Sequence, residues 1–274
     1  MPELPEVETI KRILAPQLCG RRIAAVQLVR PEVVAHPGAR RFTDALTGKK
    51  IMEMDRRGKF LLFELEGGGR LILHLRMTGQ LLATPSDYPK EKHTHLVLGL
   101  EGGGELRYID VRRFGRFWLL ESGEEDSYSG IERLGPEPFG PAFCAGYLQE
   151  ALQTRRRAIK ECLLDQGVVA GIGNIYADEI LFAAGILPAR AACTLGQEEW
   201  RRLEKAIPHI LRQGIENDRI TPEQYLALQG REYRDGPSFA MYGRQGQPCP
   251  RCGAPIERIT LSGRSSCYCP RCQA

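Results

Sequence analysis

Cys249-Pro-Arg-Cys252-Gly-Ala-Pro-Ile-Glu-Arg-Ile-Thr-Leu-Ser-Gly-Arg264-Ser-Ser-Cys-Tyr-Cys269-Pro-Arg-Cys272 is the stretch that decides how the end of this chain folds. Two C-x2-C knuckles stand sixteen residues apart. Each knuckle offers two thiolates, four thiolates fill the tetrahedral corners of a zinc ion, and the interval suits one β-hairpin. Ile256–Leu261 reads as a strand of that hairpin and Ser262-Gly263 as its turn. A ribbon this small cannot fold on its own apolar burial, so the expected Zn2+ is structural. Cys267 has the wrong spacing for a knuckle and reads as a bystander thiol. Cys19, Cys144, Cys162 and Cys193 are scattered and read as small buried residues. Nine cysteines, an odd number, fit a reduced compartment better than a disulfide framework.

Upstream of the ribbon the pattern is helical from about 141 to 228. The segments are Ala142–Gln153, Arg157–Asp165, Asn174–Ala184, Gln197–Gln213 and a short Pro222–Leu228. Gln166-Gly-Val-Val-Ala-Gly-Ile-Gly-Asn174 joins two of these helices with three glycines. The glycine spacing is wrong for a dinucleotide fingerprint, and a helix rather than a strand precedes it. Glycine turns let backbone N–H groups approach a phosphate, and Asn174 at a helix N-terminus is aimed at the same anion. Further upstream, residues 1–130 read mainly as β. An amphipathic helix with Pro5 as its first residue comes first, carrying Val7, Ile10, Leu14 and Leu18 on one face. Strand-like runs recur after it at about Ile23–Val29, Ile51–Met54, Lys59–Leu65, Arg70–Arg76, His95–Leu100, Leu106–Ile109 and Arg116–Leu120. Gly67-Gly68-Gly69 and Gly102-Gly103-Gly104 read as hairpin loops, and the whole as a β-sandwich.

The net charge of +4 over 274 residues conceals segregation. Residues 107–116 carry +3, 154–160 carry +4 and 244–272 carry +4, so these segments hold +11 and the rest of the chain −7. Arg segregated on an acidic body suits a polyanion, nucleic acid foremost. No apolar run approaches the ~18–20 residues of a membrane span. The start has neither a basic leader nor an apolar signal core. The expectation is a soluble cytoplasmic protein with no membrane partner.

Taken in order, several motifs resemble one family, the bacterial formamidopyrimidine-DNA glycosylases. They are Pro2-Glu3-Leu4-Pro5-Glu6-Val7-Glu8-Thr9, Arg56-Arg57-Gly58-Lys59-Phe60, His74-Leu75-Arg76-Met77-Thr78-Gly79 and Asp110-Val111-Arg112-Arg113-Phe114-Gly115. Leu134-Gly135-Pro136-Glu137-Pro138, Gly171-Ile172-Gly173-Asn174-Ile175-Tyr176 and Tyr242-Gly243-Arg244-Gln245-Gly246 follow before the cysteines. The resemblance runs the length of the chain, and Leu4 between Glu3 and Pro5 looks like the purine-lesion branch. It implies a multi-domain α+β protein: a catalytic β-sandwich over 1–130, a linker over 131–145, a helix–two-turn–helix domain over 146–228 and a zinc-ribbon finger over 229–274. The implied partner is damaged double-stranded DNA, held by a monomer without a nucleotide cofactor.

The chemistry needs an amine for the sugar C1′, an acid for the ribose ring and groups that move protons during elimination. Pro2 supplies an amine once Met1 is removed, with a pKa near the ~7.7–8.0 of an α-amino group, and its iminium is an electron sink. Glu3 beside it can donate a proton. By resemblance Pro2 is the Schiff-base nucleophile, Glu3 the proton donor, Lys59 the helper in β-elimination and Arg264 the residue of δ-elimination. The same resemblance gives DNA contacts to His93, Arg112, Arg155, Lys160 and Asn174. It makes Met77, Arg112 and Phe114 the wedge that fills the space left by an extruded nucleotide. His74, His36 and His209 are left outside the site. Two other readings are an endonuclease VIII-like enzyme for oxidised pyrimidines or abasic sites and a catalytically silent DNA-binding protein. The silent protein would lack Pro2, Glu3 or Lys59.

One stretch departs from the family. Relatives usually carry a Gly-Gly-Ser/Thr segment and a flexible loop whose N–H groups cap 8-oxoguanine, where this chain has Asn217-Asp218-Arg219-Ile220-Thr221-Pro222-Glu223-Gln224-Tyr225. Pro222 has no N–H and favours a first helical turn, with Thr221 as N-cap. Order, a helix and weaker capping of 8-oxoguanine are expected.

Overall fold

Apolar residues three and four apart make the first helix. α1 (Leu4–Leu18) buries Leu4, Val7, Ile10, Leu14 and Leu18 along one side. It begins at Leu4 with Pro5 inside its first turn, one residue earlier than the sequence suggests. First-turn N–H groups have no intrahelical partner, so proline loses nothing there. The structure, a computed structural model, describes residues 2–230 and 239–274.

The strands that follow are β1 (Ile23–Leu28), β2 (Val34–His36), β3 (Ile51–Arg57), β4 (Phe60–Leu65), β5 (Arg70–His74), β6 (Gly79–Thr84), β7 (Thr94–Leu100), β8 (Glu105–Asp110) and β9 (Arg116–Leu120). They pair as two sheets in the orders β1-β7-β8-β6 and β2-β9-β5-β4-β3, antiparallel throughout except for β2 on β9. This is the expected sandwich. Leu61, Phe63 and Leu65 of β4 share its core with Leu71 and Leu73 of β5, Leu96 and Leu98 of β7, and Val7, Ile10 and Leu14 of α1. Each such side chain contributes about 1.5–3 kcal/mol when fully buried. β2, β6 and α2 (Ala39–Leu46) have no counterpart in the sequence reading. α2 buries only Phe42 and Leu46, and β6 buries Leu81 and Leu82 side by side, which erases the period of two. Lys59 stands in the two-residue turn before β4 rather than on the strand.

The helical part comprises α3 (Ala145–Leu152), α4 (Ile159–Leu164), α5 (Asn174–Ala184) and α6 (Gln197–Asn217). Leu148, Leu163, Ile180, Trp200, Leu203 and Ile207 lie in its interior. Gly214 on α6 is needed where Tyr176 crosses, because a Cβ there would stand 2.4 Å from the Tyr176 hydroxyl. The ribbon hairpin is β10 (Glu257–Leu261) with β11 (Arg264–Tyr268), joined by Ser262 and Gly263, both at positive φ. Two-residue turns of that kind match the twist of the strands they join.

Two compact units result. The first takes residues up to Glu132 together with 218–230; the second takes 133–217 and 239–274. The stretch from Asp218 therefore leaves the helical unit, whereas the sequence reading keeps 146–228 together. Its helix α7 (Pro222–Ala227) packs on β6 and α1. Tyr225 is buried in the sandwich core and donates its hydroxyl to the Leu81 carbonyl at 3.1 Å. Thr221 caps α7 with Pro222 in the first turn, as expected. Residues 231–238 of the expected finger domain lie outside the described residues.

Candidate active site and zinc centre

α1 sets the position of Pro2 and Glu3. Pro2 is half-buried and Glu3 is buried. The backbone N–H of Glu3 donates to the Glu6 carboxylate at 2.6 Å, which assigns Glu6 to the helix start. Lys59 is also buried, in a turn tied to the same helix. Arg56 donates to Glu8 of α1 at 3.1 Å and to the Gly58 carbonyl at 3.0 Å. Burial would raise the Glu8 carboxyl, but Arg12, Lys11 and Arg56 hold it below its ordinary value, so this clasp is ionic. Pro2, the Glu3 carboxyl and the Lys59 ammonium thus lie at the start of α1 and in the turn clasped to it.

A second group of expected residues lies on three loops of the sandwich. Met77 and Phe114 are 42% and 47% exposed, far from the core placement that apolar side chains usually take. The Arg112 guanidinium lies 4.6 Å from the centre of the Phe114 ring. His93 is half-buried, and its carbonyl accepts from the Asp110 N–H at 3.0 Å.

The glycine segment between α4 and α5 is braced by Gln166, whose amide donates to the Leu164 and Ile172 carbonyls and accepts from the Gly171 N–H. Asn174 opens α5, and its buried Oδ1 has no hydrogen-bond partner among the described residues. Arg155 is exposed. Lys160, to which the resemblance gives a DNA contact, lies in the interior of this unit. Its ammonium is 1% exposed, 2.7 Å from Asp178 on α5, and donates to the Ser265 carbonyl of β11 at 2.9 Å. Asp178 also accepts from the Ser266 hydroxyl and the Cys267 N–H. Lys160 therefore ties the ribbon to α4 and α5. A buried ammonium needs such partners. Cys144 and Cys193, expected inside, are exposed; Cys144 is the N-cap of α3.

Arg264 is exposed at the first position of β11. With Arg157, Glu161, Asp165 and Ser262 it lines a cleft of about 270 Å³. Sequence reasoning missed the two acids that hold this half together. Asp178 and Glu179 are consecutive in an otherwise apolar helix, which was the available signal. Glu179 accepts from the N–H groups of Ala240, Met241 and Tyr242 at 2.8–2.9 Å and so anchors the chain that leads into the ribbon.

The four knuckle thiols converge. The Sγ atoms of Cys249, Cys252, Cys269 and Cys272 lie within 4.8 Å of one another, with Cys249–Cys272 at 3.9 Å and Cys252–Cys269 at 3.5 Å. Tetrahedral Zn–S bonds of about 2.3 Å require sulfurs about 3.8 Å apart. The donor set fits one structural zinc ion. Cys267 is buried in the same small cluster without joining the donors.

Family models cover the chain in the same order. The formamidopyrimidine-DNA glycosylase N-terminal domain matches residues 1–117, the H2TH domain of that glycosylase 134–225, and the zinc finger found in FPG and IleRS 246–274. The chain belongs to the formamidopyrimidine-DNA glycosylase family. The formamidopyrimidine-DNA glycosylase of Moorella thermoacetica is 51% identical over 94% of both chains, and that of Geobacillus kaustophilus 43% over the full length of both. Lactococcus lactis Fpg in complex with DNA containing an oxidised pyrimidine superposes at a TM-score of 0.90, with 37% identity over 99% of both chains. The same protein with an abasic-site DNA gives 0.88 at 36% identity over 99% of both chains. Sandwich, helices and ribbon alike are those of the formamidopyrimidine-DNA glycosylase family. No described helix is long and apolar enough to cross a membrane.

Proposed function

We propose that the chain is a base-excision-repair glycosylase that removes oxidised purines, 8-oxoguanine and formamidopyrimidines, from duplex DNA and then cleaves the strand. The observation that carries this reading is Pro2 and buried Glu3 at the start of α1, with the Lys59 turn clasped to that helix by Glu8 and Arg56. Once Met1 is removed, the Pro2 nitrogen attacks C1′ and the bond from C1′ to the base breaks. Glu3 delivers the proton that opens the ribose ring, leaving an iminium between Pro2 and C1′. Loss of a C2′ proton, assisted by Lys59, expels the 3′ phosphate. A second elimination, assisted by Arg264, expels the 5′ phosphate, and hydrolysis of the iminium returns Pro2.

Asn174, Arg155, His93 and Arg112 hold phosphates, and Met77, Arg112 and Phe114 fill the vacated space. The enzyme works as a monomer in the bacterial cytoplasm with one structural zinc ion in the ribbon. The oxidised-pyrimidine complex of the Lactococcus protein favours one second reading, in which oxidised pyrimidines are also substrates. Borohydride trapping on duplexes carrying 8-oxoguanine or an abasic site tests the chemistry. A covalent adduct at the Pro2 amine is expected, lost when Met1 is retained. Full activity in a protein that keeps Met1 would overturn the assignment.

A further inference from the structure

We propose that Asp110 is the positioning residue that locks two separate loops into one rigid wedge. It rests on the reading that Met77, Arg112 and Phe114 occupy the space of an extruded nucleotide. Asp110 ends β8 and is fully buried. Its Oδ1 accepts from the Thr78 hydroxyl and from the Arg112 N–H at 3.1 Å. Its Oδ2 accepts from the Tyr108 hydroxyl at 2.8 Å and from the Gly115 N–H at 2.9 Å. Four donors saturate the two oxygens of a carboxylate. Burial would raise its pKa, but the bonds from Thr78, Gly115, Tyr108 and Arg112 hold it below the ordinary value, so the group is an anion inside the protein.

Three of the four donors belong to the two loops of the wedge. Thr78 follows Met77 in the loop between β5 and β6, and its hydroxyl also accepts from the Arg112 N–H at 3.3 Å. Arg112 and Gly115 bracket Phe114 in the loop between β8 and β9. Each loop holds a non-glycine residue in the left-handed region, Arg76 at φ 56° and Arg113 at φ 58°. Such conformations persist where the surroundings over-determine them. Two glycines let both loops close on the same point. A Cβ on residue 115 would stand 1.9 Å from the Tyr108 hydroxyl, and one on residue 79 would stand 2.5 Å from the Leu75 carbonyl and 3.0 Å from that hydroxyl.

The result is one buried anion under two exposed tips. A wedge drives a base out of the stack only if the wedge does not yield first. With the anion in place, the projecting side chains of both loops move as a unit. Without it, two short loops face the duplex independently.

The test compares Asp110→Asn, Thr78→Val and Thr78→Ser in zinc-loaded, full-length protein whose folding is checked by thermal melting. Asparagine puts an NH2 group among donors, valine deletes the bridging hydroxyl, and serine keeps it. Single-turnover excision of 8-oxoguanine from a fully paired duplex is expected to fall by about 10- to 100-fold for Asp110→Asn and Thr78→Val, the range for a misplaced positioning element. Thr78→Ser is expected to stay near the parent. The fluorescence change of a 2-aminopurine beside the lesion, which reports wedge entry, should weaken in step. Placing the lesion in a mismatch, where unstacking is easier, should restore most of the missing rate. Unchanged excision in Thr78→Val and Asp110→Asn, or an equal loss on paired and mismatched substrates, would overturn the proposal. Met77→Ala, Phe114→Ala and Arg112→Ala check the reading beneath it. If all three excise from the paired duplex at the parent rate, the wedge reading fails and takes the proposal with it. If they are slow while Thr78→Val and Asp110→Asn are not, only the positioning role of Asp110 fails.

Discussion

His74 sits edge-on to Phe60 at 4.6 Å, and its Nδ1 accepts from the Arg76 N–H at 3.0 Å. Burial first, and then the charges of Arg76 and Lys59, push its pKa down to about 3. The unfolded chain binds a proton near pH 6.5, and the folded chain does not. Stability from this residue is therefore complete above pH 6.5 and drains away as pH falls toward 3, by up to about 1.4 kcal/mol per pH unit. Urea titrations of the parent and His74→Gln across that range should show a shallower fall for the variant. Equal slopes would exclude His74 as the cause. Lys160 gives the second residue-scale expectation. Removing one member of a buried pair costs about 3–5 kcal/mol, so Lys160→Met should lower the melting temperature sharply, and Lys160→Met with Asp178→Asn should recover part of the loss. The salt dependence of DNA binding by that double variant should match the parent, because the ammonium faces inward. Arg155→Ala should flatten the slope by about 0.9, the share of one neutralised phosphate. A double variant as flat as Arg155→Ala would return Lys160 to the phosphates.

At the scale of elements, α7 carries the departure from the family. Thr221 N–H donates to Gln224 Oε1 at 2.9 Å, and Gln224 N–H donates to Thr221 Oγ1 at 3.3 Å, a closed capping box around Pro222. Tyr225 then plugs the sandwich core, and Gln229 reaches Glu91 at 3.0 Å. An ordered, proline-started helix offers one N–H fewer to the carbonyl edge of 8-oxoguanine than a glycine loop does. Excision of 8-oxoguanine should consequently lag that of formamidopyrimidine in otherwise identical duplexes, and Pro222→Thr should narrow the gap. Equal rates in the parent would show that Pro222 leaves recognition intact. The cap was legible because Thr-Pro-x-Gln is a local signal. Docking on the sandwich was not legible, since it depends on Tyr225 meeting Leu81, 144 residues away.

At the scale of the molecule, the chain divides into two compact units, and among the described residues the four-cysteine cluster lies in the second. The ribbon cluster holds Met241, Ala254, Ile256 and Phe182 around cysteines, too little apolar surface to stand alone. Chelating zinc, or Cys249→Ala, should abolish DNA binding measured at fixed salt while the melting transition of the sandwich persists. Loss of both together would mean that the sandwich also leans on the ribbon. The charge map changes at this scale as well. The sum of +11 in three segments counted Arg107, which is buried with its guanidinium on Glu105 and the Pro89 carbonyl, and Lys160, which is buried on Asp178. The surface that meets a polyanion is accordingly less basic than the composition implies.

The sequence by itself determined what depends on neighbours along the chain. Cysteine spacing set the ribbon, apolar periodicity set α1, α5 and α6, glycine runs set the hairpins of the sandwich, and Pro2-Glu3-Leu4-Pro5 set the start of α1. Each is a local constraint of covalent spacing, backbone conformation or one-sided burial. Only the tertiary structure decided which cations face inward, which unit receives α7, and that Asp110 gathers donors from residues 78, 108, 112 and 115. A charge counts as surface or interior according to partners from distant strands and helices, and no pattern within a single segment carries that information.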